Sequence, residues 1–341
     1  MKFARFFSVS VFVMLALYGM IGFYFLPLAN FDGDLTRIGE IPESQFGWNK
    51  KQPAIDPVLL QQASWQDADV LAIGDSFTKP LLWQTALTGR GLKVHTEPWG
   101  NVGSICGDFS DWLRNKGFKG HQVIFEIVER YTETALNSSV ACKHMSHHDL
   151  PEIHASPPPT LRPQPADLEG RMSVGIQTEL NLLKYERLRK QPGFTGFNLS
   201  HDARILRVPD GCELFSHLSC NDALFFSRDH IPDFNDSTLN QMQTINSRLH
   251  KLIPIWVIIP DKTTAYLNYH KKFWDKAEQR FNAPNVLRIF RQAIQRKAID
   301  LYPANNTHLS TAGYLLLGEA IYQSMQHQNS IHSPHTARQV K

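Results

Sequence analysis

Apolar residues in this chain fall into one long run and several short ones. The long run, from Phe6 to Leu28, reads FFSVSVFVMLALYGMIGFYFLPL and carries no charge. At 1.5 Å per helical residue it is long enough to cross roughly 30 Å of hydrocarbon, which predicts one transmembrane helix. Lys2 and Arg5 precede it, and the positive-inside bias keeps them in the cytoplasm and sends the rest of the chain across the membrane. A cleaved signal peptide is the alternative. The length of the run and the poor small-x-small site at Pro27-Leu28-Ala29 favour an uncleaved signal anchor over residues 1–29.

The short runs have a different rhythm. Residues 30–66 are polar with scattered prolines and predict a tether. Ala68 to Ile73 is a short apolar run ending in Gly74, followed by a helical pattern from Pro80 to Leu87. Lys93 to Trp99 then reads as a strand, Ser104 to Lys116 as a helix and Gln122 to Val128 as a third, buried strand. Asp236 to Leu252 predicts a helix, Ile253 to Ile259 the most apolar strand, Asn285 to Phe290 a further candidate strand, and Thr311 to Met325 a last amphipathic helix. Strands alternating with helices predict an α/β fold, with a mainly parallel sheet and helices on both faces, over about residues 67–326. Asn137 to Pro165, rich in proline and histidine and without periodicity, predicts an exposed insertion that extends to about residue 200. The polar tail 327–341 is expected to be disordered.

Composition narrows the class. With 42% hydrophobic residues over 341 positions a sizeable core is affordable, which excludes a disordered chain. The 35 basic and 32 acidic residues are spread without a long basic run, so no nucleic-acid partner is expected. Cys106, Cys142, Cys212 and Cys220 are an even set in a region expected to face an oxidising compartment. Three pairings exist for four cysteines, although Cys212 and Cys220 are near enough to close a local loop. Their spacing matches no zinc module. The histidine-rich stretch with His144, His147, His148 and His154 lacks fixed ligand spacing and reads as a solvated insertion. The chemistry expected here requires no metal and no cofactor.

Two blocks carry candidate chemistry. Gly74-Asp75-Ser76-Phe77 stands at the carboxyl end of the first strand, where open α/β sheets bind their ligands. A serine on such a turn exposes its hydroxyl, and the positive end of a following helix favours charge developing on an attacked carbonyl. The plainer reading is a turn in which Asp75 or Ser76 caps the next helix. Near the other end, Asn305-Asn306-Thr307-His308 precedes the last helix. Histidine can take and return the proton that makes a serine nucleophilic. His308 is thus the candidate base and Ser76 the candidate nucleophile, with the Asp229-His230 pair as a competitor for the base.

These blocks resemble the SGNH (GDSL-type) hydrolase superfamily, which has an early Gly-Asp-Ser block and a late histidine before the last helix. The resemblance spans about residues 67–325. Within the superfamily the chain is similar to the branch that includes the alginate O-acetyltransferases, through Gly74-Asp75-Ser76-Phe77, Phe125-Glu126-Ile127-Val128-Glu129-Arg130-Tyr131, Ile259-Pro260-Asp261-Lys262-Thr263-Thr264-Ala265-Tyr266 and Asn306-Thr307-His308. The implied fold is an SGNH-like three-layer α/β domain. Two departures stand out: the Asn-Thr-His block follows the serine block instead of preceding it, and the expected triad aspartate falls on Asn305 or Asn306. Asparagine can orient an imidazole without stabilising its charge, and such a swap in a serine protease costs about 10⁴ in turnover. Asp300 and Asp261 are alternative carboxylates for that role.

The resemblance implies an oxyanion hole from the Ser76 amide and from the block Gly100-Asn101-Val102-Gly103, with Gly100, Asn101 and Gly103 the candidate residues; an ordinary strand-to-helix turn is the alternative. Arg130 either binds an anionic sugar or the oxyanion, or forms a structural ion pair with Glu126 or Glu129. Tyr131 and Lys262 complete the candidate substrate-binding set. The expected function is O-acyl, above all acetyl, transfer to a cell-envelope or exported polysaccharide through an acyl-serine. A carbohydrate acetylesterase is the alternative, and a catalytically weak polysaccharide-binding or assembly protein a third. The expected setting is the bacterial inner membrane, single-pass, with the domain in the periplasm beside a membrane-bound acyltransferase that supplies acyl groups.

Overall fold

Every position of Val70–Gly74 (β1) and Gln122–Val128 (β3) is buried in the computed structural model, as befits strands covered on both faces. With Val94–Pro98 (β2) and Ile253–Ile259 (β7) they form a four-stranded, wholly parallel sheet in the order β2-β1-β3-β7. The described residues are 2–146, 172–199, 202–229, 234–269 and 272–332. They divide into two units that interleave along the chain: one draws on segments 1–50, 161–228 and 303–307, the other on the remainder.

The sheet belongs to the second unit. Leu71, Ile73, Val123, Phe125, Ile127, Trp256 and Ile258 alternate along their strands onto one face and join a core with Phe109, Trp112, Leu239, Met242, Phe273 and Trp274. The helices that supply those partners are Phe109–Lys116, Asp236–Asn246 and Lys272–Phe281. The intervening strand positions point to the other face, and Glu126 is one of them. After β2 the chain returns to the opposite side of β1 to lay down β3, so the sheet has its switch point between β1 and β3. Ligand crevices in open α/β sheets lie outside the carboxyl ends of strands at such a point.

The expected strands at Gln122–Val128 and Ile253–Ile259 are present with those bounds. Asn285 to Phe290 is a helix instead of a strand, Val286–Gln295. Val286, Leu287, Phe290 and Ile294 recur with helical spacing, and Asn285 accepts a hydrogen bond from the Arg288 amide as its N-cap. The helix expected over Pro80 to Leu87 is a series of turns with only Thr85–Thr88 helical. The last helix runs Thr311–His332, beyond Met325, so residues 327–332 of the expected tail are helical and 333–341 lie outside the described residues.

The first unit contains the N-terminal helix Lys2–Phe25, which continues into a 3-10 turn, Leu26–Ala29. The span Phe3–Ala29 has a mean hydropathy of 2.1 and is long and apolar enough to cross a membrane. Residues 30–50, expected to be part of a tether, are packed: Leu35, Ile41 and Phe46 are fully buried with Tyr185, Ala203, Ile205 and Leu224. Of the prolines that suggested a linker, Pro42 and Pro57 stand at helix starts. Part of the expected insertion is also ordered, since Asn137–Ala141 ends the helix Glu129–Ala141 and a 17-residue helix occupies Met172–Leu188. Gly196–Asn198 (β4), Ala203–Arg207 (β5) and Asp222–Phe226 (β6) then form an antiparallel sheet that the sequence reading did not anticipate. Cys106 pairs with Cys142, and Cys212 with Cys220.

Candidate active site

The turn after β1 is built by side chains as much as by backbone. Asp75 Oδ1 accepts from the Phe77 amide at 2.9 Å and Oδ2 from the Val128 amide at 2.7 Å, tying the turn to the end of β3. Below it, Glu126 Oε2 accepts from the Asp75 amide at 3.1 Å and from the Thr78 hydroxyl. Gly74 is the residue this packing demands: a Cβ there would lie 1.8 Å from Thr78 Oγ1 and 2.4 Å from Glu126 Oε2. The turn leaves Ser76 half-exposed.

His308 is brought to Ser76 across 232 positions of sequence, with Nε2 2.8 Å from Oγ. An unprotonated Nε2 at that distance accepts the serine proton. Packing fixes the imidazole: the Phe77 ring lies 4.8 Å from it, and Phe77 in turn contacts Tyr302 and Tyr314. Tyr302, fully buried, donates its hydroxyl to Pro260 O at 2.6 Å, and the Ser310 amide bonds Leu301 O at 3.0 Å. The loop between Tyr302 and the last helix is thus pinned on both sides of His308.

Around this pair lies a buried acidic cluster. Arg130 Nη1 pairs with Asp261 Oδ1 and, at 3.4 Å, with Asp229 Oδ1. Asp261 and Asp229 are thus ion-pair partners of Arg130, which also lies close enough to Glu129 for its charge to favour that carboxylate. Only 9% of the Arg130 side chain is exposed, so its charge is committed inside the protein. Asp229 also accepts from the Thr263 hydroxyl at 3.0 Å, and Glu129 Oε2 from the Asp261 amide at 2.8 Å. Burial raises Asp75, while amide donors and the fields of Arg130 and His308 oppose it. Burial and then the neighbouring Asp75 push Glu126 well above the carboxylate range, and burial and then Asp229 do the same for Asp261. Glu126 Oε1 and Asp261 Oδ2 have no hydrogen-bond partner among the described residues.

The other expected residues are distributed as follows. Gly100, Asn101 and Gly103 follow β2 at the carboxyl end of the sheet, in register with the Ser76 turn through Gly74 and Pro98. A Cβ at Gly100 or Gly103 would meet nothing within 4 Å, and Gly103 has φ of 75°, which favours glycine. Asn101 Nδ2 donates to Glu97 Oε2 at 3.0 Å. The expected helix dipole behind Ser76 is absent, because turns occupy residues 75–84. Lys262 starts a short helix after β7 and is buried, while Tyr131 is half-exposed with the Arg130 guanidinium 5.4 Å from its ring. Asn305 directs its amide to Glu43 within the first unit, and its backbone oxygen accepts from the Leu35 amide. Thr307, also in that unit, gives its amide and its hydroxyl to Asp34. Asp261 is engaged by Arg130, and Asp300 is fully buried. His230 of the competing pair and His147, His148 and His154 lie outside the described residues. His144 is exposed, 3.4 Å from Asp108.

Sequence reasoning did not foresee Glu126 beneath the serine turn or Asp34 beneath Thr307. An acidic residue inside an otherwise apolar strand was the available signal for Glu126; nothing local marks Asp34. Among the described residues no group of three His, Cys, Asp or Glu side chains is arranged to hold a metal ion. Comparison with protein-family models, with curated proteins and with solved structures finds no match for this chain.

Proposed function

We propose that this protein is a serine-dependent O-acyltransferase of SGNH type that moves acetyl groups onto a cell-envelope or exported polysaccharide. The observation that carries the reading is the 2.8 Å contact between Ser76 Oγ and His308 Nε2 at the carboxyl end of a parallel sheet. In the proposed reaction Ser76 Oγ attacks the acyl carbonyl as its proton passes to His308 Nε2. Collapse expels the donor's leaving group, which takes that proton and leaves an acyl-serine. A sugar hydroxyl then attacks the ester, gives its proton to His308, and departs as the acylated product while Ser76 recovers its proton. The Ser76 amide and the open backbone at Gly100 are the proposed oxyanion donors, the Gly103 amide being given to Trp99 O at 2.7 Å. Half-exposed Tyr131 offers an aromatic face for a sugar ring.

The chain's positively charged start and apolar helix support a single-pass anchor in the bacterial inner membrane with the catalytic unit in the periplasm. There the acyl donor would be a membrane-bound acyltransferase that passes acetyl groups outward. The position of the usual triad aspartate is asparagine, and Asn305 is turned to Glu43, so turnover is expected to be slow. Hydrolysis would use the same residues with water as acceptor. The discriminating experiment follows the fate of acetyl from 4-nitrophenyl acetate in the presence and absence of a polysaccharide such as polymannuronate. Acceptor-dependent sugar ester supports transfer; free acetate as the sole product with every acceptor tried supports the esterase.

A further inference from the structure

Helix Met172–Leu188 has its polarity inverted for a protein in water. Its buried positions are Gly175, Thr178, Asn181 and Tyr185, small or polar, and they face the core of the first unit. Its outward face carries Ile176, Leu180 and Leu183, which are 38%, 54% and 56% exposed. A surface helix normally does the reverse. Exposed apolar residues scattered singly are ordinary, but these three stand at i, i+4 and i+7 and form one stripe.

The stripe begins where the N-terminal helix ends. A Cβ on Gly175 would lie 1.9 Å from the Phe25 backbone oxygen, and one on Gly22 would lie 3.5 Å from the Met172 methyl carbon. The first turn of Met172–Leu188 is therefore beside the last turn of the apolar span Phe3–Ala29. At 1.5 Å per residue, Leu183 is within about 12 Å of that junction along the helix. Lys184 and Arg187 are exposed on the same face, at its distal end. Apolar side chains followed by basic ones suit the boundary between acyl chains and anionic headgroups.

We propose that the outward face of Met172–Leu188 is a membrane-contact surface, seated in the headgroup region of the bilayer crossed by the N-terminal helix. The inference rests on the membrane-spanning reading of that helix. Its ligand is an anionic phospholipid surface: Ile176, Leu180 and Leu183 enter the acyl boundary, and Lys184 and Arg187 meet the phosphates. Two attachments on one unit hold it against the membrane more firmly than a single helix on a flexible stalk.

The test uses the full chain in phosphatidylglycerol-containing vesicles, with a nitroxide on Leu180→Cys or on Leu183→Cys. The native cysteines are paired and leave the introduced thiol as the labelling site. Collisional accessibility to oxygen is compared with that to a water-soluble nickel chelate, using Leu15→Cys as the span reference and exposed Val58→Cys as the solvent reference. The expected result is oxygen above nickel at Leu180 and Leu183, as at Leu15, with the ratio inverted at Val58. Nickel access at Leu180 and Leu183 with a lipid-like Leu15 overturns the inference and leaves the span intact. Shielding from both probes identifies a protein neighbour and also overturns it. Nickel access at Leu15 removes the span reading and the inference with it.

Discussion

Burial holds the Glu129 carboxyl up to about 7 against an ordinary value of 4.5, while Thr264 and the Asp261 amide pull it down only in part. The native state therefore binds this proton more tightly than the unfolded chain does. The associated stability is complete below pH 4.5 and is lost as pH rises to about 7, a contribution of about 3 kcal/mol at most. Glu129→Gln, which keeps an acceptor for the Asp261 amide, should flatten that slope and raise the urea midpoint above pH 7; an unchanged profile would contradict the assignment. Arg130→Ala should act chiefly on stability, since it strands Asp229 and Asp261 without their counter-charge, at about 3–5 kcal/mol. A raised KM with an unchanged urea midpoint would instead mark Arg130 as a substrate contact. At this scale Ser76 and His308 were legible because each stands at a local landmark, a strand end and a helix start. The partners of Arg130 were not, because Asp229 and Asp261 are 99 and 131 positions away and only the fold brings them in. Asn305 was misleading for the opposite reason: its sequence distance from His308 suits a triad, while its side chain answers to Glu43.

Elements buried on both faces announced themselves. β3 and β7 are continuous apolar runs with turn residues at their ends, and their bounds follow from composition alone. Short strands of mixed character did not: β4 has three residues with none buried, and it is held by pairing to β5. The segment around Asn285 shows how a short window misleads, since Val286 to Phe290 fits a strand until Ile294 completes the helical period. The disulfides belong to this scale, because each closes one loop within one unit. The Cys106–Cys142 and Cys212–Cys220 loops span 36 and 8 residues, which in the chain-entropy account gives about 4 and about 2.5 kcal/mol. The double serine variant of the first pair should therefore lower the urea midpoint of its unit more than that of the second pair does for the other. Equal losses would show that native-state packing, not loop length, sets their value.

At the scale of the whole molecule the chain builds one unit from three distant segments, an arrangement that a linear division into tether, domain and insertion does not express. Leu35, Ile41 and Phe46 complete a core otherwise supplied by residues beyond 180. A chain beginning at residue 67 should accordingly leave 172–228 open to proteolysis, whereas one beginning at residue 30 should protect it; equal protection would contradict the assigned core. The parallel sheet and the apolar span were visible in hydrophobic period and length, but the first unit's antiparallel sheet was not. The central claim is that Ser76 is a nucleophile activated by His308. Its most direct test is a single turnover of 4-nitrophenyl acetate by the full chain, quenched and read by peptide mass spectrometry, beside Ser76→Ala and His308→Ala. A 4-nitrophenol burst with acetyl on Ser76, absent in Ser76→Ala and slowed by at least about 10³ in His308→Ala, is the predicted result. Equal bursts from all three proteins, or acetyl confined to another residue, would contradict it.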